Sequence, residues 1–137
     1  MKSDAFVWPV RVYWEDTDAG GIVFYANYLK FMERARTEWL RHLGIEQQRL
    51  REREGGFFVV QRTEVQYLRP ARLDDALHVS AQITALGRAS IVMQQSVHLA
   101  LDQTHLCEGT IRIGWVDALS LRPGRMPSHL IQTLQQP

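Results

Sequence analysis

Three carboxylates fall within four positions near the amino terminus, Glu15, Asp16 and Asp18, in the run EDTDAGGIVFYANYL at residues 15–29. Gly20 and Gly21 follow, and the chain then turns apolar and aromatic as a helical pattern begins. Such a run has two uses. Aspartates beside glycines make turns, because a short carboxylate accepts hydrogen bonds from backbone amides a residue or two further on. A carboxylate delivered against apolar surface can instead act as a nucleophile or a general base. Spacing alone leaves both open. It does argue against a calcium loop: counting from Asp16, the third ligand position is Gly20, and the twelfth is Asn27 where a bidentate Glu is needed.

Other catalytic templates are missing. There is no G-x-S-x-G elbow and no phosphate-binding loop. The five histidines, His42, His78, His98, His105 and His129, lack metal-ligand spacing. His78 and His98 fall on the polar phase of strand-like runs, where solvated surface accounts for them. Cys107 is the sole cysteine, so it forms no internal disulfide, and its apolar phase suits a packed thiol. A net charge of +1 over 137 residues lacks the basic bias of a nucleic-acid binder. Asp4 interrupts the segment that a secretion signal would need apolar, and no apolar run approaches a membrane span. Together with a lone cysteine, this gives the expectation of a cytoplasmic protein that does not span a membrane.

The elements that must hold the acids can be read from periodicity. Phe6–Tyr13 is aromatic and β-branched, as a strand would be, with Pro9 as a weakness. From Asn27, a candidate N-cap, Tyr28, Phe31, Met32, Ala35, Trp39 and Leu43 form one apolar stripe of a long helix that Gly44 would stop. A polar segment, Glu46–Glu54, extends or follows it. Strand-like runs then cover Phe57–Arg69, Leu77–Ala85, Ile91–Leu101 and Cys107–Trp115, joined by short turns, and a short helix follows from Ser128. One helix followed by a run of strands predicts an α+β chain, a single domain over residues 1–137, with a five-stranded antiparallel sheet. One helix covers one face of such a sheet, so self-association is expected to cover the rest.

The stretch YWEDTDAGGIVFYANYLKFMERARTEWL, residues 13–40, closely resembles the opening signature of hotdog-fold acyl-CoA thioesterases. The likeness is to the 4-hydroxybenzoyl-CoA thioesterase family, and within it to the YbgC-type (Tol–Pal-associated) branch. Weaker agreement lies in Tyr67–Ala71, in the turn Leu86–Ser90, and around Arg122-Pro123 and Arg125–Pro127. The resemblance implies a long central helix wrapped by the sheet, acyl-CoA as substrate, and no metal or cofactor. It also implies a homodimer or homotetramer with active sites between subunits. Asp18 is then the catalytic carboxylate and Tyr25 the donor of a backbone N–H at the helix start. The YbgC-type branch often has His at the latter position, so Tyr25 departs toward the hydroxybenzoyl pattern. A backbone donor is indifferent to that change.

The remaining assignments follow from that frame. Gly20 and Gly21 let the loop backbone approach substrate. Tyr28 and Trp39 are candidates for the acyl pocket, with the core stripe the simpler account of both. Arg88, in the turn after Gly87, is a candidate for the CoA phosphates, since a guanidinium suits phosphate geometry, and a solvated turn residue is the competing account. Asp16 is expected to orient the loop. The alternative is a hotdog module that binds acyl-CoA or acyl carrier protein with little turnover. A hotdog dehydratase fits poorly, because no His occurs in the first 41 residues.

Overall fold

A computed structural model describes residues 5–135; residues 1–4, including the Asp4 considered above, and 136–137 lie outside the described residues. Among the described residues strand β1 (Phe6–Arg11) pairs only with β3, so Pro9 sits on an edge where its missing N–H is tolerated. The expected continuation to Tyr13 is not made. A single 3-10 turn, Trp14–Asp16, follows and redirects the chain.

Helix α1 (Asn27–His42) buries the expected stripe, Tyr28, Phe31, Met32, Ala35 and Trp39, together with Leu40. Leu43 lies just past its end and is half-buried, and Gly44 at φ +84° takes the left-handed conformation that stops the helix. The N-cap expectation is corrected. Ala26 flanks the helix with no side-chain cap, and the Asn27 amide is engaged elsewhere. Helix α2 (Gln47–Glu54) buries none of its residues.

Strands β2 (Gly56–Tyr67), β3 (Ala76–Leu86), β4 (Ser90–Leu99) and β5 (His105–Asp117) complete a five-stranded antiparallel sheet in the order β1-β3-β4-β5-β2. Leu101, expected on β4, lies beyond it and is 92% exposed. Gln103 at φ +62° and the Thr104 N–H on the Asp102 carboxylate make a turn there that breaks the alternation. Helix α1 packs across β1, β3 and β4, with Phe31 and Met32 set in a core that includes Leu77, Val79, Met93 and Val97. Helix α3 (Ser128–Gln135) adds Leu130 and Leu134. This is the helix-in-sheet arrangement expected of a hotdog fold. Among the described residues the outer edges of β1 and β2 are both unpaired, and the Val60–Glu64 segment of β2 is exposed.

Candidate active site

The acid-rich loop is a small hairpin pinned at both ends. Thr17 bridges Val23, the Asp18 N–H donates to Ile22 O at 2.9 Å, and the Gly21 N–H donates to Asp18 O at 3.1 Å. Gly21 has φ +79°, a conformation that disfavours any side chain. The Gly20 N–H donates to Asp18 Oδ1 at 2.8 Å, and a Cβ on Gly20 would stand 3.3 Å from that oxygen. Asp18 thus does form the turn contact that its sequence setting suggests. That bond uses one oxygen and leaves Oδ2 free on an exposed side chain.

Asp16 has the opposite fate. It is 5% exposed, its Oδ2 accepts the Tyr13 N–H and its Oδ1 accepts the Asn27 amide, both at 2.8 Å. Its own carbonyl accepts the Phe24 N–H at 2.9 Å. One buried carboxylate therefore ties the start of the loop to the first turn of α1, which is the orienting role expected for it.

Past the hairpin the chain is fastened to the segment after β2. Ile22 bridges Arg72, the Val23 N–H donates to Ala71 O at 2.9 Å, and the Ala71 N–H donates to the Tyr28 hydroxyl at 2.9 Å. Burial, the main cause, raises the pKa of Tyr28. The Tyr67 hydroxyl donates to the Tyr25 carbonyl at 3.0 Å, and the two rings meet edge-on. Among the described residues the Tyr25 N–H has no acceptor. These groups surround a cavity of about 260 Å³ lined by Ile22, Tyr25, Tyr28, Tyr67, Leu68 and Arg69, among others.

Of the residues singled out in the sequence, Tyr25 and Tyr28 line this cavity. Asp18, Gly20 and Gly21 form the exposed hairpin that leads into it. Trp39 does not reach it: it packs in the core eleven residues along α1 from Tyr28, or ~16 Å. Arg88 is not brought to it either. The hairpin follows β1, whose end at Arg11 pairs with Ala76, whereas Arg88 follows the other end of β3 at Leu86, roughly 30 Å away along that strand. Arg88 is therefore no part of the Tyr25 cavity within this chain.

Tyr67 and Arg69 line the cavity, and sequence reasoning had given them no role there. Their only signal was the Tyr67–Ala71 agreement with the family. The histidine expectation also needs correction. His78, His98 and His105 stand directly opposite one another across β3, β4 and β5, half-buried rather than freely solvated, with the last two rings stacked at 4.5 Å. Burial first, then His105 and His78, lowers the pKa of His98. Among the described residues no group of three or more His, Cys, Asp or Glu is placed to hold a metal ion. Cys107 is the packed thiol expected of it, and burial pushes its pKa up to about 12.

A long helix wrapped by an antiparallel sheet is the hotdog architecture, and family comparison agrees with that fold. The chain belongs to the thioesterase-like superfamily, whose family model matches residues 12–134. Within it, the likeness is to the YbgC branch. The chain is 43% identical over 136 residues to an Escherichia coli protein named acyl-CoA thioester hydrolase YbgC, covering 99% of this chain and all of that one. It is 40% identical over 130 residues to the acyl-CoA thioesterase YbgC of Haemophilus influenzae, with 95% and 94% covered. Among solved structures, a probable thioesterase from Bartonella henselae superposes with a TM-score of 0.85 at 33% identity, covering 90% of this chain and 100% of that one.

Proposed function

We infer that this chain hydrolyses acyl-CoA thioesters to the free acid and CoA, with Asp18 as its carboxylate and the Tyr25 N–H as its electrophilic donor. The observation that carries the reading is the free Tyr25 amide at the tip of α1. It borders an apolar cavity and lies at the end of the hairpin that holds a half-engaged carboxylate. As the thioester carbonyl is attacked, negative charge gathers on its oxygen. An N–H at a helix start, reinforced by the helix dipole, is suited to receive it, and one such donor contributes about 3 kcal/mol in the transition state.

Asp18 acts on the carbonyl carbon in one of two balanced ways. Its free oxygen attacks, expelling CoA as the thiolate and leaving a mixed anhydride that water then opens. Alternatively it takes a proton from water as that water attacks. Either route consumes one water and releases one acid and one thiol. Gly20 and Gly21 keep the hairpin backbone close to substrate, and Tyr28 and Tyr67 form the pocket wall. An Arg88 from a neighbouring subunit is placed by this reading on the CoA phosphates.

The active unit is a homodimer formed along the free edge of β2. That edge is 12 residues long and among the described residues pairs only with β5, and such an edge recruits a second strand unless it is blocked. Antiparallel pairing centred on Thr63 sets Arg62 and Glu64, which pair within one chain at 2.8 Å, opposite Glu64 and Arg62 of the other copy, a self-complementary arrangement. The test is thiol release from a panel of acyl-CoA esters by wild type and Asp18→Asn. Loss of at least ~100-fold in kcat with unchanged folding supports the assignment. Retained turnover in Asp18→Asn removes it, and tight acyl-CoA or acyl carrier protein binding without thiol release by wild type makes the chain a binding module instead.

A further inference from the structure

A second cavity, of about 160 Å³, lies between the middle of α1 and the first half of β2, where Glu33, Arg36, Thr37, Phe58, Val59 and Val60 help to line it. Arg36 is its unusual member. Its Nη1 donates to Gln95 Oε1 at 2.9 Å, and Gln95 is fully buried, held in turn by Met32 O and Ser80 O. Among the described residues no carboxylate stands within ion-pair distance of this guanidinium. Glu33, one turn away, is engaged by the Thr37 hydroxyl at 2.6 Å. Burial lowers the pKa of Arg36, with Glu33 acting the other way. A guanidinium carries five N–H donors, and the one hydrogen bond here goes to a neutral amide. Arg36 is half-buried, so a guanidinium with one neutral partner and no counter-charge has donors left over at the cavity to offer to an acceptor from elsewhere.

The β2 edge says where that acceptor comes from. Antiparallel pairing of two β2 strands requires a two-fold axis perpendicular to the sheet, so both α1 helices lie on the same face. Centred on Thr63, it brings the Phe58–Val60 end of one β2 alongside the Tyr67 end of the second copy's, with the β2 bulge at Gln61 between them. The Arg36 cavity, floored by Phe58–Val60, then abuts the Tyr25 cavity of the other subunit, walled by Tyr67 and Leu68. Within one chain the same two cavities are separated by most of the length of β2, roughly 25 Å.

We propose that Arg36 of one copy forms the distal wall of the acyl site whose Asp18 and Tyr25 belong to the other, and that it selects acyl groups ending in an oxygen acceptor. The hydroxyl and carboxylate forms of that acceptor share this chemistry. The proposal rests on the thioester-hydrolase reading and on β2 pairing.

The test uses matched CoA thioesters, butyryl, hexanoyl and benzoyl, each alongside its counterpart with a hydroxyl or a carboxylate at the far end. Wild type should favour an oxygen-ended member of at least one series by about tenfold in kcat/KM, the scale of a hydrogen bond to a charged group. Arg36→Met should erase that ratio, and Arg36→Lys should keep part of it. Comparing hydroxyl with carboxylate identifies which acceptor is read. Subunit complementation tests the placement. Mixed dimers of Asp18→Asn and Arg36→Met chains contain one intact site if the residues come from different copies, and should exceed both parents on the preferred substrate.

No gain in mixed dimers verified by native mass spectrometry overturns the proposal, as does an Arg36→Met effect equal across each series. Should wild type hydrolyse no thioester, or Asp18→Asn remain active, the functional reading fails instead. Binding of the matching non-hydrolysable thioethers to wild type and Arg36→Met then decides the role of Arg36 separately, equal affinities refuting it.

Discussion

The most exacting test of the site concerns Asp16, which does no chemistry. Its two carboxylate oxygens accept one backbone N–H, from Tyr13, and one side-chain amide, from Asn27, while the residue is 5% exposed. Asp16→Asn preserves shape and leaves one carbonyl oxygen. That oxygen can serve one donor, and the new NH₂ group must face the other. The loss is one charge-assisted bond plus a donor–donor opposition, about 2–3 kcal/mol. In a chain of 137 residues, 1 kcal/mol moves the midpoint of thermal unfolding by about 4 °C, so the variant should melt about 10 °C lower. Asn27→Asp alone should also destabilise, since it sets two carboxylates against each other. The exchange of both, Asp16→Asn with Asn27→Asp, restores complementarity: the amide at 16 donates to the carboxylate at 27, and its oxygen still accepts the Tyr13 N–H. A carboxylate in the first turn of α1 also suits the helix dipole. Urea unfolding of all four proteins should therefore give a coupling of about 2 kcal/mol or more. If Asp16→Asn costs under about 0.5 kcal/mol, or the exchange is no better than the sum of its parts, then this carboxylate does not hold the loop to the helix.

Three further outcomes are expected. Tyr67→Phe keeps the ring against Tyr25 but removes the donor to its carbonyl, and should lower kcat for thiol release by about threefold to tenfold with KM little changed, the scale of one neutral hydrogen bond; an unchanged kcat would show that this bond does not position the helix tip. His98 has a folded pKa below its ordinary 6.5, so the native state binds fewer protons than the unfolded chain, and stability that is complete above pH 6.5 should fall as pH drops toward the lowered value. Chemical unfolding between pH 5 and 8 should show that slope and His98→Gln should flatten it, while equal slopes would locate the titration elsewhere. Cys107, with its thiol pushed up to about 12, should resist a thiol reagent in the native protein at pH 8 and react at once in denaturant. Its contribution to stability is complete below its ordinary value of 9.0 and is lost as pH rises toward 12.

Much of the architecture is written in local pattern. The α1 stripe, the Gly44 stop and the alternation of β3 are properties of consecutive residues, and each is realised within a residue or two. The failures share a cause. Asn27 has the chemistry of a cap, but a buried carboxylate eleven residues earlier takes its amide N–H and turns the side chain toward the loop, since Oδ1 of Asp16 would otherwise be buried without a donor. Arg88 matches a family turn, yet strand length carries it away from the hairpin. His78, His98 and His105 have no spacing that relates them, and only strand register lines them up. Tyr67 and Arg36 are of the same kind, given their place by a partner far along the chain.

Asp16 and Asp18 show how one residue type is divided between structure and chemistry. They are two positions apart in a loop of the same composition, so intrinsic acidity does not distinguish them. What does is the number of donors each meets. Asp16 is buried with both oxygens engaged, and moving it would leave the Tyr13 N–H and the Asn27 amide unserved. Asp18 meets one donor, the Gly20 N–H of its own turn, which fixes its direction and leaves an oxygen free. A carboxylate saturated with hydrogen bonds is a poor nucleophile and a poor base; one held by a single bond keeps a lone pair to use. Asp18 is exposed, as the proposed role requires of an oxygen that must meet the substrate. Asp16 supplies the fixed point: it holds the hairpin that bears Asp18 to the first turn of α1, just past Tyr25, so in the proposed reaction the carboxylate and the amide donor are positioned by the same buried group.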